Sequence, residues 1–404
     1  MIKIDGDSSP DSEDRFTRFD LISWWDQKRL KNAHVLIAGA GALGNEIIKN
    51  CALVGIGNIF IADMDRIENS NLSRSVLFRK SDNGKLKAEI ACQAAKDIYP
   101  EIMVQPFHGN IVHDLGLGVY FWADVIIGGL DNREARIALN TGSFFARKPW
   151  IDGAIEVLDG VARVFMPGAG PCYECTMSEL DWKIIQDRRS CSLLSRTEME
   201  QGKVPTTPTT ASVIAGIQMQ EAIKIIHNLD TLAGQGYIYS GLSGESYLVQ
   251  YPRKPDCFGH ETFSQLQVLN PGVQGCTVGE LLERARTLLG SDAVIGLSRD
   301  ILAALHCPHC LDREEIFCSL GSITEDRAPC PGCGTIRIPE TLITLGLDHN
   351  LCDRTFAEIG VPYFDVVTAR TEKESISFLF GGDSAHILGS LPDKLVNQSR
   401  SRES

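Results

Sequence analysis

Short, mostly apolar runs alternate with stretches of helical period through the first third of the chain. The runs at 35–38, 59–63, 104–108 and 125–129 are too short for helices, and they predict buried strands joined by helical crossovers. That order gives a parallel sheet with right-handed connections. Further strands are predicted at 150–153 and 160–166, and a hairpin at 237–251. Between 16 and 30, Phe19, Leu21, Ile22, Trp24 and Trp25 predict an amphipathic helical lead-in. A helix is predicted over 211–226, opened by Thr and Pro. Residues 178–210 keep no apolar period and read as a long loop with a little helix, a feature that in compact domains tends to be functional or mobile. From about residue 266 the pattern changes: helices are predicted after Thr277 and over 354–362, and a strand over 364–370. The reading is α/β, with a Rossmann-like, doubly wound, mostly parallel sheet in residues 15–265 and a smaller α+β domain in 266–390. The polar ends, 1–14 and 391–404, are expected to be disordered.

A length of 404 residues suits two domains rather than one core. The net charge of −13 argues against a general nucleic-acid binder, which needs clustered Lys and Arg. No apolar run approaches the ~18 residues that span a bilayer, and the acidic N-terminus has no signal core, so a cytoplasmic protein off the membrane is expected. Among thirteen cysteines, Cys172/Cys175, Cys307/Cys310 and Cys330/Cys333 form C-x-x-C pairs. In such a chain these read as metal ligands, with zinc the economical choice.

Gly39, Gly41 and Gly44, with Ala42 and Leu43 between them, form G-x-G-x-x-G after the first strand. Such a turn lets backbone approach a phosphate at a helix N-terminus. Asp63, closing the second strand, suits a ribose hydroxyl pair, the alternative being a cap on the next turn. Asp65, Asn71, Arg74 and Lys87 then place two cations and two polar groups just past the loop. Hydride transfer has no use for cations there. Attack of a carboxylate on an α-phosphate does, because phosphate charge develops and pyrophosphate leaves. Asp131, followed by Asn132, ends a strand where open parallel sheets bind ligands, and it could hold Mg²⁺.

The ordered set Arg15-Phe-Thr-Arg18-Phe, Gly39-x-Gly41-x-x-Gly44, Asp63-x-Asp65, Ser70-Asn71-Leu72-x-Arg74, Lys87-Ala-Glu and Asp131-Asn132 resembles the ThiF/MoeB/ubiquitin-activating-enzyme superfamily over about residues 15–260. The resemblance implies a ThiF-type adenylation domain that uses Mg-ATP to adenylate the C-terminal glycine of a ubiquitin-like protein. It implies that Asp63 takes the ribose, that Arg74 and Lys87 contact phosphates, and that Asp131 binds magnesium. It also implies a homodimer in which Arg18 reaches the partner subunit's nucleotide. Cys172-Tyr-Glu-Cys175 matches the first half of the family's structural zinc site. Where the second half should follow, the chain departs from the pattern and reads Cys257-Phe-Gly-His260. That set still makes a tetrahedral S₃N site, with loss of the metal as the competing reading. Cys307-Pro-His-Cys310 and Cys330-Pro-Gly-Cys333 predict a zinc ribbon rather than a redox pair, making two structural sites in all, with His309 and Cys318 as non-ligands. Cys51, Cys92, Cys276 and Cys352 read as packed thiols.

Cys191, in Asp187-Arg188-Arg189-Ser190-Cys191 and followed by Pro205-Thr-Thr-Pro, is similar to the thioester-forming cysteine of ubiquitin-activating enzymes. Arg188 and Arg189 would favour its thiolate. The expectation is therefore adenylation, thioester formation on Cys191 and transfer to a conjugating-enzyme-like protein, in a compact form suited to bacteria. The alternatives are adenylation of a sulfur carrier with Cys191 dispensable, small-molecule adenylation, and a non-catalytic scaffold, which the joint presence of Arg74, Lys87 and Asp131 disfavours. The C-terminal domain is expected to dock the ubiquitin-like protein or a downstream carrier, or to serve packing alone.

Overall fold

The protein is described from a computed structural model covering residues 14–168, 170–183, 205–323, 325–346 and 351–395. Cys191, Arg188 and Arg189 lie outside the described residues.

The predicted parallel strands are present as β1 (His34–Ala38), β2 (Asn58–Asp63), β3 (Met103–His108), β4 (Val125–Gly128) and β5 (Trp150–Glu156). They form one eight-stranded sheet, β3-β2-β1-β4-β5-β6-β7-β8, extended by antiparallel β6 (Asp159–Phe165), β7 (Gln235–Ser240) and β8 (Glu245–Gln250). Every residue of β1 and β2 is buried, which explains the apolar runs 35–38 and 59–62 within them. Four helices join or follow the parallel strands: α2 (Ala42–Val54), α3 (Lys87–Ile98), α4 (Gly118–Trp122) and α5 (Arg133–Ala146). The Pro208–His227 helix packs on the sheet, its first turn capped by Thr207. Because β1 has β2 on one side and β4 on the other, the strand order reverses at β1, and a crevice opens at its carboxyl end.

The lead-in is not one helix. A 3₁₀ turn (Thr17–Leu21) and a short helix α1 (Gln27–Asn32) are separated at Asp26, whose carboxylate accepts the Lys28 and Arg29 amides and starts a new helix. Nor is 354–362 helical. One turn forms, with Thr355 and Glu358 capping each other, and Gly360 at φ +88° ends it.

The later residues build a second sheet, β11-β10-β13-β14-β9, with β12 also paired to β10. Its strands are β9 (Leu266–Leu269), β10 (Val294–His306), β11 (Arg313–Ser319), β12 (Ile338–Leu345), β13 (Val366–Arg370) and β14 (Ser375–Phe380). The expected helix after Thr277 spans Val278–Leu289 and is fixed by a Thr277–Glu280 capping box. This half shares a core with the first sheet: Phe364, Val366, Leu379 and Leu388 pack in one cluster with Phe60, Trp122 and Phe144. Buried Asp365 accepts the Leu117 amide at 2.9 Å, and Arg299 donates to Leu115 O at 3.0 Å. Part of the polar end is docked: the Trp122 indole donates to Pro392 O at 2.9 Å, and Lys394 pairs with Asp124 at 2.6 Å. Among the described residues, no helix is long and apolar enough to cross a membrane.

Candidate nucleotide site and metal clusters

Carboxyl ends of β1, β2 and β4 meet at the crevice. The chain leaves β1 into Gly39 at φ +93°, a conformation few side chains adopt, and Gly41 starts α2. A Cβ on Gly44 would lie 1.9 Å from Gly39 O, so glycine there is what lets helix and loop close on each other. Gly41 is the opposite case, with nothing within 4 Å of the place a Cβ would take and φ at −75°. Its open face at a helix N-terminus fits an approaching phosphate. Gly41→Ala is expected to leave thermal stability nearly unchanged while weakening ATP binding by about ten-fold or more, about 1.4 kcal/mol. Titration with a non-hydrolysable ATP analogue checks it, and equal affinity would mean no phosphate sits there.

Asp63 binds this loop to the second strand: Oδ2 accepts the Ala40 amide at 2.7 Å and Oδ1 the Asp65 amide at 2.7 Å. Burial raises its pKa, and the nearby Lys87 ammonium pulls the other way. Lys87, the first residue of α3, is buried and pairs through Nζ with Asp65 Oδ2 at 2.7 Å. The structure thus brings Asp63, Asp65 and Lys87 together beside the glycine loop.

Asn71 and Arg74 lie on the β2–α3 connection. Asn71 Oδ1 accepts the Glu68 amide at 2.9 Å, and Arg74 Nη1 donates to Ser70 O at 3.0 Å. Buried Asn45 ties this connection to the loop, since its Nδ2 donates to Ala40 O at 2.7 Å and its Oδ1 accepts the Leu77 amide at 2.9 Å. No motif marks Asn45; its one signal is a lone amide at the start of an apolar helix. Asp131 is exposed, three residues past β4, and accepts the Asn132 amide group at 3.1 Å, while Asn132 caps α5 through the Ala135 amide. Arg18 is exposed on the lead-in turn.

Both expected metal sets assemble. Cys172, Cys175, Cys257 and His260 bring their ligand atoms within 4.8 Å of one another, as do Cys307, Cys310, Cys330 and Cys333. In the first, Cys172 Sγ lies 3.8 Å from Cys175 Sγ and 3.5 Å from Cys257 Sγ, with Cys175 Sγ 3.4 Å from His260 Nε2. In the second, Cys307 Sγ lies 3.5 Å from Cys333 Sγ, and Cys310 Sγ lies 3.5 Å from Cys330 Sγ and 3.8 Å from Cys333 Sγ. A tetrahedral ion with metal–sulfur bonds of ~2.3 Å sets its sulfurs about 3.8 Å apart, so both sets fit zinc. His309 and Cys318 belong to neither group. Cys51, Cys92 and Cys276 are buried as expected, whereas Cys352 is only half-buried. A cavity of about 540 Å³ opens beside the first cluster, lined by Trp182, Lys254 and Phe258 and by none of the nucleotide-loop residues.

The ThiF family profile matches residues 14–258. A SAMP-activating enzyme E1 of Haloferax volcanii is 31% identical over 258 residues, covering 60% of this chain and 87% of that protein. The sulfur carrier protein adenylyltransferase of Thermus thermophilus is 29% identical, over 57% of this chain and 83% of its own length. The NEDD8-activating enzyme E1 catalytic subunit of Arabidopsis thaliana is 38% identical, but the match spans only 34% of that subunit. Among solved structures, E. coli MccB with ATP aligns at TM-score 0.51 and 26% identity, over 62% of this chain and 75% of that one. A glycine loop, an aspartate-tied second strand and a paired lysine at the sheet's reversal point, within a profile match over more than half its length, place this chain in the ThiF family.

Proposed function

We propose that the protein is an ATP-dependent adenylyltransferase that activates the C-terminal glycine carboxylate of a ubiquitin-like or sulfur-carrier protein. The observation that carries this reading is the buried Lys87, held against Asp65 at 2.7 Å beside the Asp63-bound glycine loop. In the proposed mechanism the loop amides and α2 receive the phosphates, and Asp63 takes the ribose hydroxyls. Arg74 and Lys87 offset charge as the carboxylate attacks the α-phosphorus and pyrophosphate leaves. The Asp131 carboxylate is suited to Mg²⁺, which would neutralise phosphate oxygens. Arg18, exposed on the lead-in, is suited to reach across a homodimer into the partner subunit's site. Zinc in each cysteine cluster would be structural, because four protein ligands leave no open position. The second cluster would complete a zinc ribbon in a C-terminal domain that docks the protein substrate.

Transfer onto Cys191 as a thioester, and onward to a conjugating-enzyme-like protein, is the fuller form of this proposal. Adenylation alone, serving thiocarboxylate formation, is the second form, and the similarity to the Thermus sulfur carrier protein adenylyltransferase favours it. ATP–pyrophosphate exchange that appears only with a small Gly-ended protein supports activation. Exchange by the enzyme with no protein substrate added contradicts it and favours small-molecule adenylation. A reducible adduct that disappears in Cys191→Ala supports transfer, whereas an adduct that persists removes that step.

A further inference from the structure

Asp152 is fully buried within β5, between Ile151 and Gly153, and carries two guanidinium groups. Its Oδ1 accepts Arg136 Nε at 2.9 Å, and its Oδ2 accepts Arg163 Nε at 3.0 Å and Nη2 at 2.7 Å. Arg136, also buried, uses Nη2 to reach Leu130 O at 2.6 Å and Gly153 O at 3.1 Å. Leu130 immediately precedes Asp131. The loop between β4 and α5 is therefore held at three places: the Gly129 amide on Ala38 O, the Leu130 carbonyl on Arg136, and the Asn132 cap on α5.

A buried ion network of this kind is a poor choice for stability alone, since apolar side chains of similar volume would serve as well or better. Geometry is what it supplies. The planar guanidinium fork donates to Asp152 and Leu130 O from two nitrogens in fixed geometry, which the point charge of an ammonium does not supply. The charge balance points the same way. Burial opposes the charge on Arg136, yet Asp152, Tyr173 and Asp131 together hold its pKa above the ordinary arginine range.

We infer that Arg136, oriented by Asp152, is a positioning residue that sets the Asp131 loop for the nucleotide-bound metal ion. This rests on the reading of Asp131 as the metal-holding carboxylate. Outer partners of this sort tune metal affinity by about 10–100-fold.

The test uses the full-length, zinc-loaded protein, a non-hydrolysable ATP analogue and a Mg²⁺ titration, with thermal unfolding in parallel. Arg136→Lys is expected to raise the Mg²⁺ concentration for half-maximal analogue binding about ten-fold or more. In an Asp131→Ala background the same change should add nothing, because both substitutions remove one interaction. Losses that add in full, or a lower unfolding midpoint with unchanged Mg²⁺ dependence, would overturn the inference. If Arg136→Lys does not fold, Asp152→Asn, which keeps the side-chain shape, is judged by the same non-additivity. A wild-type chain that binds no analogue would instead contradict the nucleotide-site reading beneath it.

Discussion

Lys87→Ala is expected to lower ATP–pyrophosphate exchange by about 10²–10³-fold, the usual cost of removing one preorganised charge-stabilising group. Its side chain is only 11% exposed, and α3 begins at this residue, so the ammonium is delivered on a rigid element. Within the protein it pairs with Asp65, whose side chain is 52% exposed and readily solvated. Losing that pair should cost stability only ~0–1 kcal/mol. The larger effect should therefore fall on turnover, with a modest loss of stability because buried Asp63 loses the Lys87 charge. A second readout follows from Asp63. Burial raises its pKa and Lys87 restrains the rise, so deleting Lys87 lets that pKa climb further. Ionised Asp63 accepts the Ala40 and Asp65 amides, so the acid limb of the rate profile should move to higher pH in the mutant. Less than a ten-fold loss of exchange in a folded mutant would contradict the role given to this lysine.

Breaking the first metal cluster should have the larger structural effect. Structural zinc contributes ~10–16 kcal/mol of apparent binding energy, comparable with the whole ~5–15 kcal/mol stability of a domain. Cys172 and Cys175 are buried beneath the first sheet's core, and Cys257 and His260 return to them from beyond β8. Cys175→Ser is expected to reduce bound zinc from two ions per chain to one and to lower the unfolding midpoint by about 10 °C or more. Cys333→Ser should remove the other ion and disturb the end of the β10–β12 sheet, leaving ATP-analogue binding by the first domain intact. Metal content and thermal unfolding measured on the same samples check both. Two ions per chain retained in Cys175→Ser would show that the four residues do not form one site.

The parallel strands were legible in the sequence because a strand buried on both faces is apolar at nearly every position, as 35–38 and 59–62 are. The glycine loop was legible because close backbone approach admits few residues, as the Gly44–Gly39 contact illustrates. The cysteine sets were legible because ligand spacing is local. What the sequence hid depends on long-range contact. Asp152 looks like an interruption in an apolar strand until Arg136 and Arg163 arrive from other elements. Asn45 is an ordinary helix residue until Leu77 folds back onto it. The lead-in departs from one helix because Trp24 and Trp25 keep an apolar period while Asp26 restarts the helix, a capping effect that outweighs periodicity. The second sheet was mostly hidden because β11 and β12 are only partly buried and its long β10 shifts register against both of them.

The most direct measurement is a crystal structure with Mg²⁺ and a non-hydrolysable ATP analogue. The account predicts the triphosphate over Gly41 with Lys87 and Arg74 on its oxygens, the ribose on Asp63, and the metal ion on Asp131. A nicotinamide or flavin dinucleotide in the same crevice, with those cations left in solvent, would contradict it.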